Sequence, residues 1–413
     1  MMKFPICRGR ISHSVLEDLS WLIKSLFVKI DSEVEVSNFE KTFSEYVGRK
    51  YCVAFPFART GIYEVLRTLN LPSGSVVLMP PITIKPILDV VLDLGLVPKF
   101  VDIDKATVCF SENELEDALS TAPRVAILTY LFGIVPNVEK ICQILKNSGV
   151  FVIEDFSQCL NGQYRGKRIG TFGDVSVYSA SSVKTLDTYG GGLVLTDSKD
   201  LADSLKHAKR KLSPPSRKRL VRKIWTDLVR NVSSQPFIFG TVTFPIIKAL
   251  TKRSGSKLTR FTGDRSQLPL KSLPVDWFES FTSLQAQVGI QQIFQMADKD
   301  RIRVSAIEKL NSLHQYVNRP TGVDGGQNVY WQYIVYTDNF EKFQNYLYTR
   351  GIDCATTSLV KISGLKTYQF QGATPNADEL YSNGAYLPCN HYLTSSHVMR
   401  IGKVLSDLAS KEI

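Results

Sequence analysis

The sequence predicts an α/β protein with a large domain on a mainly parallel seven-stranded sheet, followed by a small C-terminal α+β domain. Seven short runs rich in Val and Ile mostly lack polar alternation, which is typical of strands buried on both faces. Amphipathic stretches with helical spacing separate these runs, as in repeated strand–helix–strand units. The chain has 413 residues, which is enough for two packed domains.

The elements follow one another in order along the chain. Strand candidates lie at 50–55, 76–79, 97–101, 125–130, 150–154, 175–179 and 192–196, and helix candidates at 60–69, 84–94, 112–120 and 138–147. A helical pattern resumes from 276 to about 316, and a strand at 330–336 and a helix at 339–349 follow. We therefore expect a large domain over 1–290, with an insertion at 206–265, and a small domain over 291–413.

Composition excludes several other classes of protein. Apolar residues make up 44% and charged residues 22% of the chain, as in a globular protein with a large core. No N-terminal stretch resembles a secretory leader, and no apolar run reaches the ~20 residues of a spanning helix, so we expect a cytoplasmic protein. The seven cysteines are scattered without zinc-site spacing, so we expect reduced thiols and no metal site.

The positive charge is concentrated in one segment. Residues 206–265 hold 16 Lys/Arg and two acids, a net +14, whereas the whole chain carries +11 and the remainder therefore −3. This asymmetry favours a local anionic partner and argues against a protein that binds nucleic acid with its whole surface.

The first motif that carries chemistry is Val-Ile-Glu-Asp-Phe-Ser-Gln at 152–158. A hydrophobic strand ends in two acids, and ligands of open α/β sheets bind at the carboxyl ends of strands. Asp155 therefore stands where an acid could pair with the protonated pyridine nitrogen of a cofactor. Taken alone, an acid at this position is more often a helix cap or a surface residue.

The second motif is a lysine between a strand end and three glycines. Lys184 follows Ser179 in a loop rich in hydroxyl groups, and Gly190–Gly192 lead into the next strand. A lysine that forms a Schiff base requires a lowered pKa, serine hydroxyls can contact a phosphate, and glycines permit close backbone approach. Taken alone, a lysine at this position is more often an ordinary surface residue.

Together, the acid and the lysine, about thirty residues apart on consecutive strands, resemble the pyridoxal-phosphate aminotransferases of the DegT/DnrJ/StrS type, which act mainly on nucleotide-linked keto-sugars. Further ordered matches include Val-Val-Leu-Met-Pro-Pro-Ile-Thr at 76–83, Tyr-Leu-Phe-Gly-Ile-Val-Pro-Asn-Val at 130–138 and Leu-Gln-Ala-Gln-Val-Gly at 284–289. The resemblance covers residues 35–205 well and continues more weakly to the C-terminus. It implies the fold of pyridoxal-phosphate transferases.

The resemblance also implies roles for individual residues. Lys184 would carry pyridoxal 5'-phosphate as a Schiff base and move the proton between substrate and cofactor. Asp155 would pair with the pyridine nitrogen, Gln158 would lie near the ring hydroxyl, and Ser179 would contact the phosphate. The turn Ala58-Arg59-Thr60, at the start of a helix, takes the place of the family's phosphate loop, where a helix N-terminus favours an anion. A homodimer with active sites at its interface is implied as well.

Two departures from the family pattern concern the phosphate site. Ala58-Arg59 replaces the usual Gly-Thr, and Pro56-Phe57 stands where serines are frequent. Before the match at 284–289 the family has an Asn that reaches the neighbouring subunit's phosphate, but this chain reads Val-Asp-Trp-Phe-Glu-Ser-Phe. These differences suggest an unusual substrate or a rearranged phosphate site.

Two histidines are candidate substrate ligands. His207 lies in a basic helical stretch and either lines the site or faces solvent. His391, in Leu-Pro-Cys-Asn-His-Tyr, falls in the region where the family has a loop near the substrate.

The basic insertion contains 17 uncharged residues with two prolines at 231–247, flanked by Lys and Arg. One hypothesis is that residues 213–260 dock on a membrane or on a lipid-bearing substrate, where anionic lipid attracts basic side chains. The alternative is an oligomer contact or a lid over a nucleotide diphosphate.

The sequence as a whole favours transfer of an amino group, from glutamate, to a nucleotide- or lipid-linked keto-sugar in polysaccharide or glycoconjugate biosynthesis. A dehydratase, which some relatives become when histidine replaces the lysine, and a non-catalytic binding or regulatory protein are the alternatives. We expect no nucleic-acid partner, and a cytoplasmic protein with peripheral membrane contact through 213–260.

Overall fold

The computed structural model describes residues 4–254, 270–313, 318–365, 368, 370 and 372–409. Their strands are β1 (Tyr51–Phe55), β2 (Val76–Met79), β3 (Ile82–Thr83), β4 (Val97–Phe100), β5 (Val125–Thr129), β6 (Phe151–Asp155), β7 (Gln163–Tyr164), β8 (Lys167–Arg168), β9 (Val175–Ser179), β10 (Gly192–Thr196), β11 (Gly326–Gln327), β12 (Tyr333–Tyr336), β13 (Ala355–Thr356), β14 (Val360–Lys361) and β15 (Gly384–Leu387).

The α-helices of the same residues are α1 (Val15–Phe27), α2 (Glu33–Val47), α3 (Ala58–Thr68), α4 (Lys85–Asp93), α5 (Glu112–Leu119), α6 (Val138–Asn147), α7 (Lys199–Lys209), α8 (Arg217–Ser233), α9 (Pro236–Ile238), α10 (Phe244–Ser254), α11 (Ser283–Leu313), α12 (Phe340–Thr349), α13 (Pro375–Asn383) and α14 (Ser395–Ala409). A π-helical segment, Phe239–Thr243, joins α9 to α10.

The central sheet has seven strands in the order β1-β10-β9-β6-β5-β2-β4. Strands β9, β6, β5, β2 and β4 are parallel, and β10 runs antiparallel between β1 and β9. The predicted mainly parallel seven-stranded sheet is confirmed. This topology brings the carboxyl ends of β1, β6 and β9 to the same edge as the start of β10.

Helices cover both faces of this sheet, which explains the nearly continuous apolar runs of its strands. On one face Ala54, Leu78 and Leu128 pack with Phe39 and Phe43 of α2, and α11 lies against α2. On the other face Val53, Val77 and Ile127 pack in one cluster with Ile62 and Val65 of α3.

The C-terminal part forms a smaller α+β unit, as predicted. Its sheet, β12-β15-β13, is antiparallel and shares a core with α12, α13 and α14. Helix α11 packs against both α2 and α14, so it joins the two parts. It also passes residue 290 without a break, and the domain boundary expected there stays a prediction.

Two predicted elements begin later than the sequence pattern suggested. The segment predicted helical from 276 starts as a short 3₁₀ helix at Val275–Phe278, and α11 begins only at Ser283, because the chain between them pairs with Ser213 through the carbonyl of Phe278 and the amide of Ser280. The strand predicted from 330 begins at Tyr333, because the amides of Val329 and Tyr330 donate to the carbonyl of Gly133.

The predicted insertion begins in the last turn of α7, and its described part folds mainly as helices α8 and α10, with the short α9 between them. Helix α8 packs lengthwise on α1, whereas Phe239 and Phe244 join the core of the C-terminal unit. Residues 255–265 of the insertion, and therefore the end of the 213–260 segment, lie outside the described residues. Among the described helices, none combines the length and the apolar character that crossing a membrane requires.

Candidate active site

The candidate site lies where β6, β9 and β10 meet at the carboxyl edge of the sheet. Asp155 is the last residue of β6, and its register partner on β9 is Val177. Ser179 is the last residue of β9 and pairs with Gly192, the first residue of β10. Asp155 and Ser179 therefore end adjacent parallel strands, two residues apart in register.

The first turn of α3 lies directly on Gly192. A Cβ atom added to Gly192 would come 2.2 Å from the amide nitrogen of Ala58, so only glycine permits this approach. The N-terminal amides of a helix lack intrahelical partners and carry a partial positive charge. The turn at Ala58-Arg59-Thr60 therefore presents a helix N-terminus, which favours an anion, close to the end of β9; its role in holding a phosphate stays a prediction.

Lys184 lies in the loop after β9 and is partly buried. Burial lowers the pKa of its ammonium group to about 8, and the nearby Asp155 carboxylate opposes that change. The Nζ atom lies 3.9 Å from the centroid of the Trp331 ring. The side chain is thus covered by an aromatic ring, and a larger fraction of its amine is neutral and nucleophilic near pH 7 than in an ordinary lysine.

Asp155 is buried, and burial raises the pKa of its carboxyl group, against the effects of Ser157 and Lys184. The amide of Ser157 donates to Asp155 Oδ1 over 3.1 Å. The Ser157 hydroxyl in turn accepts from the amide of Ser179 over 2.9 Å. Ser157, which the sequence analysis did not single out, therefore links the acid to the predicted phosphate serine.

Gln158 is buried, and its side-chain carbonyl accepts from the amide of Phe132 over 2.8 Å. Because Phe132 holds the side-chain oxygen, the side-chain nitrogen of Gln158 faces away from Phe132. The Ser179 hydroxyl lies 3.0 Å from that of Ser181.

The sequence profile of the DegT/DnrJ/EryC1/StrS aminotransferase family matches residues 11–229. The chain belongs to this family. GDP-perosamine synthase of Escherichia coli O157:H7 is 30% identical over 174 residues, 42% of this chain and 48% of that protein. The matched stretch spans about half the length of the curated relatives.

Solved structures of family members share the fold over nearly the whole chain. Helicobacter pylori PseC, an aminotransferase involved in the biosynthesis of pseudoaminic acid, has a TM-score of 0.74 at 17% identity and covers 98% of this chain and 100% of its own. A DegT DnrJ EryC1 StrS aminotransferase from Brucella abortus has a TM-score of 0.73 at 21% identity, covering 95% of each chain. The resemblance and the fold that the sequence predicted are confirmed.

The two departures from the family pattern lie in contact with each other. The Arg59 guanidinium group stacks between the rings of Phe57, at 3.8 Å, and Trp277, at 4.2 Å. The Thr60 hydroxyl donates to the Trp277 carbonyl over 2.7 Å. The altered turn and the altered segment at 275–281 therefore contact each other directly, and the Thr60 hydroxyl is engaged in that contact.

Arg59 is a buried cation at this contact. Burial lowers the pKa of its guanidinium group to about 10, and Arg219 and Lys223 of α8 lie near the same Phe57 ring. Its Nε atom is buried and has no hydrogen-bond partner among the described residues. A buried, unpaired donor at a helix N-terminus suits an anionic group.

The two candidate histidines lie in different places. His207 is exposed on α7 and lines a surface groove with Arg67 and Thr68, at the C-terminal end of α3. Since the anion-binding end of α3 is its N-terminus, His207 is not brought together with the other site residues. The helical pattern placed it correctly on α7 but did not show which face it occupies.

His391 lies near three cations, one of which reaches the lysine loop. Burial, and then the cations Lys299, Arg303 and Arg10, lower the pKa of its ring to about 4. Arg303 also approaches the hydroxyl of Thr185, the neighbour of Lys184, at 3.4 Å. The His391 loop therefore contributes to a cationic patch beside the lysine loop.

Sequence reasoning missed the carboxylates that hold the lysine loop from beneath. The Ser182 hydroxyl lies 2.6 Å from both carboxylate oxygens of Asp227 on α8. Asp187 accepts from the amides of Val183 and Tyr189. The one available signal was that Asp227 is a rare acid in a strongly basic segment.

Helix α1 completes this support. The Tyr189 hydroxyl donates to Asp18 over 2.7 Å. The backbone of Tyr189 is in the left-handed region, with a φ of 59°. Asn231 of α8 donates to Asp18 and to the carbonyl of His13, both at 2.8 Å. Burial raises the pKa of Asp18 and, well above its usual range, that of Asp187. The lysine loop is thus fixed by two helices that are far from it in sequence.

The described residues contain no group of three or more His, Cys, Asp or Glu that could hold a metal ion.

Proposed function

We propose that this protein is a pyridoxal-phosphate-dependent aminotransferase that transfers an amino group, from glutamate, to a keto-sugar. The observation that carries the proposal is that Lys184, whose pKa is lowered to about 8, lies at the same sheet edge as the buried acid Asp155 and within its electrostatic influence. Family membership supports it, because proteins of this family include enzymes named as sugar aminotransferases.

The residues present fit pyridoxal phosphate. An unprotonated lysine can bond to the aldehyde, and Asp155 can face the pyridine nitrogen. The phosphate can be held by Ser179, by the first amides of α3 and by Arg59. The Nε atom of Arg59 is available for this contact because it has no hydrogen-bond partner among the described residues. Gln158 would lie beside the ring hydroxyl. When bound, the cofactor would supply an aldehyde that takes up an amino group and a ring that withdraws electrons.

The chain's own residues divide the remaining work. Lys184 Nζ accepts and returns the proton at the substrate carbon, for which a pKa near the working pH is favourable. Trp331 lies over Nζ and donates from its indole nitrogen to the carbonyl of Val183 over 2.8 Å, so it excludes water and fixes the loop. Asp155 keeps a positive charge favourable on the pyridine nitrogen.

The cationic patch at His391 favours an anionic group on the substrate. At neutral pH the His391 ring is uncharged, so Arg10 and Lys299 supply the charge and His391 a hydrogen bond, while the charge of Arg303 is balanced by Asp300. A carboxylate of glutamate or a phosphate of a nucleotide- or lipid-linked sugar has the required chemistry. We place the reaction in polysaccharide or glycoconjugate biosynthesis and expect a homodimer, as the family resemblance implies.

The test uses absorbance of the cofactor-loaded protein. Glutamate alone is expected to convert the near-visible band in a single turnover, and a nucleotide-linked keto-sugar is expected to restore it, with an aminated sugar detected by mass spectrometry. The Lys184→Ala variant should do neither. A sugar that loses water without gaining nitrogen would replace this proposal by a dehydratase. A protein that never acquires the band would point to a binding or regulatory role.

A further inference from the structure

Helix α1 carries an apolar stripe on its solvent side. Leu16, Leu19, Ile23, Leu26 and Phe27 are between 44% and 81% exposed, and their spacing puts them on one face. The opposite face, with Asp18, Trp21 and Ser25, is buried. The most apolar face of this helix therefore points away from the protein body, which is the reverse of an ordinary surface helix.

Helix α8 repeats this arrangement beside α1. Trp225 is 56% and Val229 49% exposed, whereas Leu220, Ile224 and Leu228 on the other side are buried. Asn231 bonds to Asp18, and Arg217 donates to the carbonyls of Ser25 and Val28, so the two helices run antiparallel along their length. Their outward stripes form one surface, which we call the α1/α8 face.

The charges of the α1/α8 face have one sign. Lys24, Lys218 and Arg222 are exposed on it. The carboxylates of the same helices are buried or engaged: Asp18 and Asp227 are buried, and the half-buried Glu17 accepts from the amide of Ser14 and from the Gln291 side chain. No carboxylate of residues 15–30 or 217–252 is exposed. The face is therefore apolar with a basic border.

This combination fits an anionic lipid surface better than it fits a second copy of the chain. In a twofold contact the face would meet itself, and its basic side chains would repel one another. Nucleic acid would leave the aliphatic stripe of α1 without apolar partners. Helices with one apolar face and flanking Lys/Arg lie in the interface of bilayers that contain anionic lipids.

We propose that the α1/α8 face docks the protein on anionic membranes. The same two helices hold the lysine loop through Asp18 and Asp227, so docking places the candidate site close to the bilayer. This inference rests on the surface and does not depend on the reaction proposed for Lys184.

Vesicle co-sedimentation of the full chain tests the proposal. The protein should pellet with phosphatidylcholine–phosphatidylglycerol vesicles and not with phosphatidylcholine alone. Leu19→Glu/Ile23→Glu should lower the partition coefficient roughly tenfold or more, because each side chain loses its burial in lipid. Lys218→Ala/Arg222→Ala should lower it roughly fivefold per charge on anionic vesicles only. Val97→Glu, 43% exposed on the edge strand β4, is the matched control and should bind as wild type.

Each other outcome overturns the proposal. Equal pelleting of wild type and Leu19→Glu/Ile23→Glu, or of wild type with both vesicle types, removes the membrane role. If the double variant instead changes the sedimentation-velocity profile while vesicle binding is unchanged, the α1/α8 face joins copies of the chain. Circular dichroism and uptake of pyridoxal phosphate establish that the variants are folded.

Discussion

Lys184 should react as a neutral amine at a pH where ordinary lysines are almost fully protonated. Its pKa of about 8 compares with an ordinary value of 10.5. At about pH 7 roughly one tenth of the group is unprotonated, against roughly one part in three thousand for an unperturbed lysine. The structure therefore predicts an increase of roughly 300-fold in the reactive fraction, before any difference in access.

The Asp155→Asn variant tests whether the charge of Asp155 acts on the pKa of Lys184. Because the carboxylate opposes the effect of burial, its removal should lower the pKa of Lys184 below 8 and shift the reactivity profile to lower pH. The assay is modification of the cofactor-free protein with trinitrobenzenesulfonate from acid to alkaline pH, with Lys184 followed by peptide mass spectrometry. Exposed lysines in the same digest correct for loss of reagent.

Two results would contradict the lowered pKa of Lys184 and its dependence on Asp155. A wild-type midpoint near that of ordinary lysines would mean that the loop is hydrated in solution and that Trp331 does not cover the amine. An upward shift in Asp155→Asn would mean that the acid does not act on Lys184 through its charge. Because no cofactor is present, neither result depends on the catalytic activity.

Three further substitutions test the scaffold. Asp227→Ala should cost about 1–3 kcal/mol in the free energy of unfolding and speed amide exchange at 181–187, because the Ser182 hydroxyl loses its partner; unchanged exchange would contradict the support role. Gly192→Ala should leave little folded protein in a thermal melt, since its Cβ would meet the amide of Ala58, and a melt within about 1 kcal/mol of wild type would show that the turn is further away. Glu154→Ala should cost about 3–5 kcal/mol in urea unfolding, because three buried amides and the Tyr130 hydroxyl lose their acceptor; Asp155→Ala is the comparison.

The prediction for Glu154 comes from a distinction that the sequence does not make. Glu154 and Asp155 are consecutive, and the two side chains of neighbouring strand residues point to opposite faces. Glu154 accepts from the amides of Gly170, Phe172 and Gly173 and pairs with Arg49. It therefore fixes the loop before β9, whereas Asp155 faces the site. Register decides which acid is structural, and the motif alone places only the pair.

The strands of the large sheet could be predicted closely because burial on both faces leaves an unambiguous apolar pattern. Strands β2, β9 and β10 begin and end where the pattern predicted, and the others differ by one or two residues. Asp155, Ser179 and Lys184 could be found because they follow those strands at the edge where ligands bind. Local pattern and topology suffice for the positions of these residues, whereas their roles come from the resemblance to the family and stay predictions.

The contacts made by long-range packing could not be predicted in the same way. Trp331 lies about 150 residues from Lys184 in sequence, and no periodic pattern connects an indole ring to a loop lysine. Asp227 lies within a basic helix, and the charge of that helix indicated only exposure to solvent or contact with anions. The sequence could not decide whether His207 lines the site or faces solvent for a related reason, since a polar helix face gives no signal of what lies opposite it.

The most direct test of the central claim is reductive trapping of the cofactor. The cofactor-free protein is incubated with pyridoxal phosphate, reduced with borohydride, digested and mapped by mass spectrometry. The account predicts one phosphopyridoxyl group, on the peptide that contains Lys184, and its absence in Lys184→Ala. A label distributed over surface lysines, or one that persists unchanged in Lys184→Ala, would contradict it.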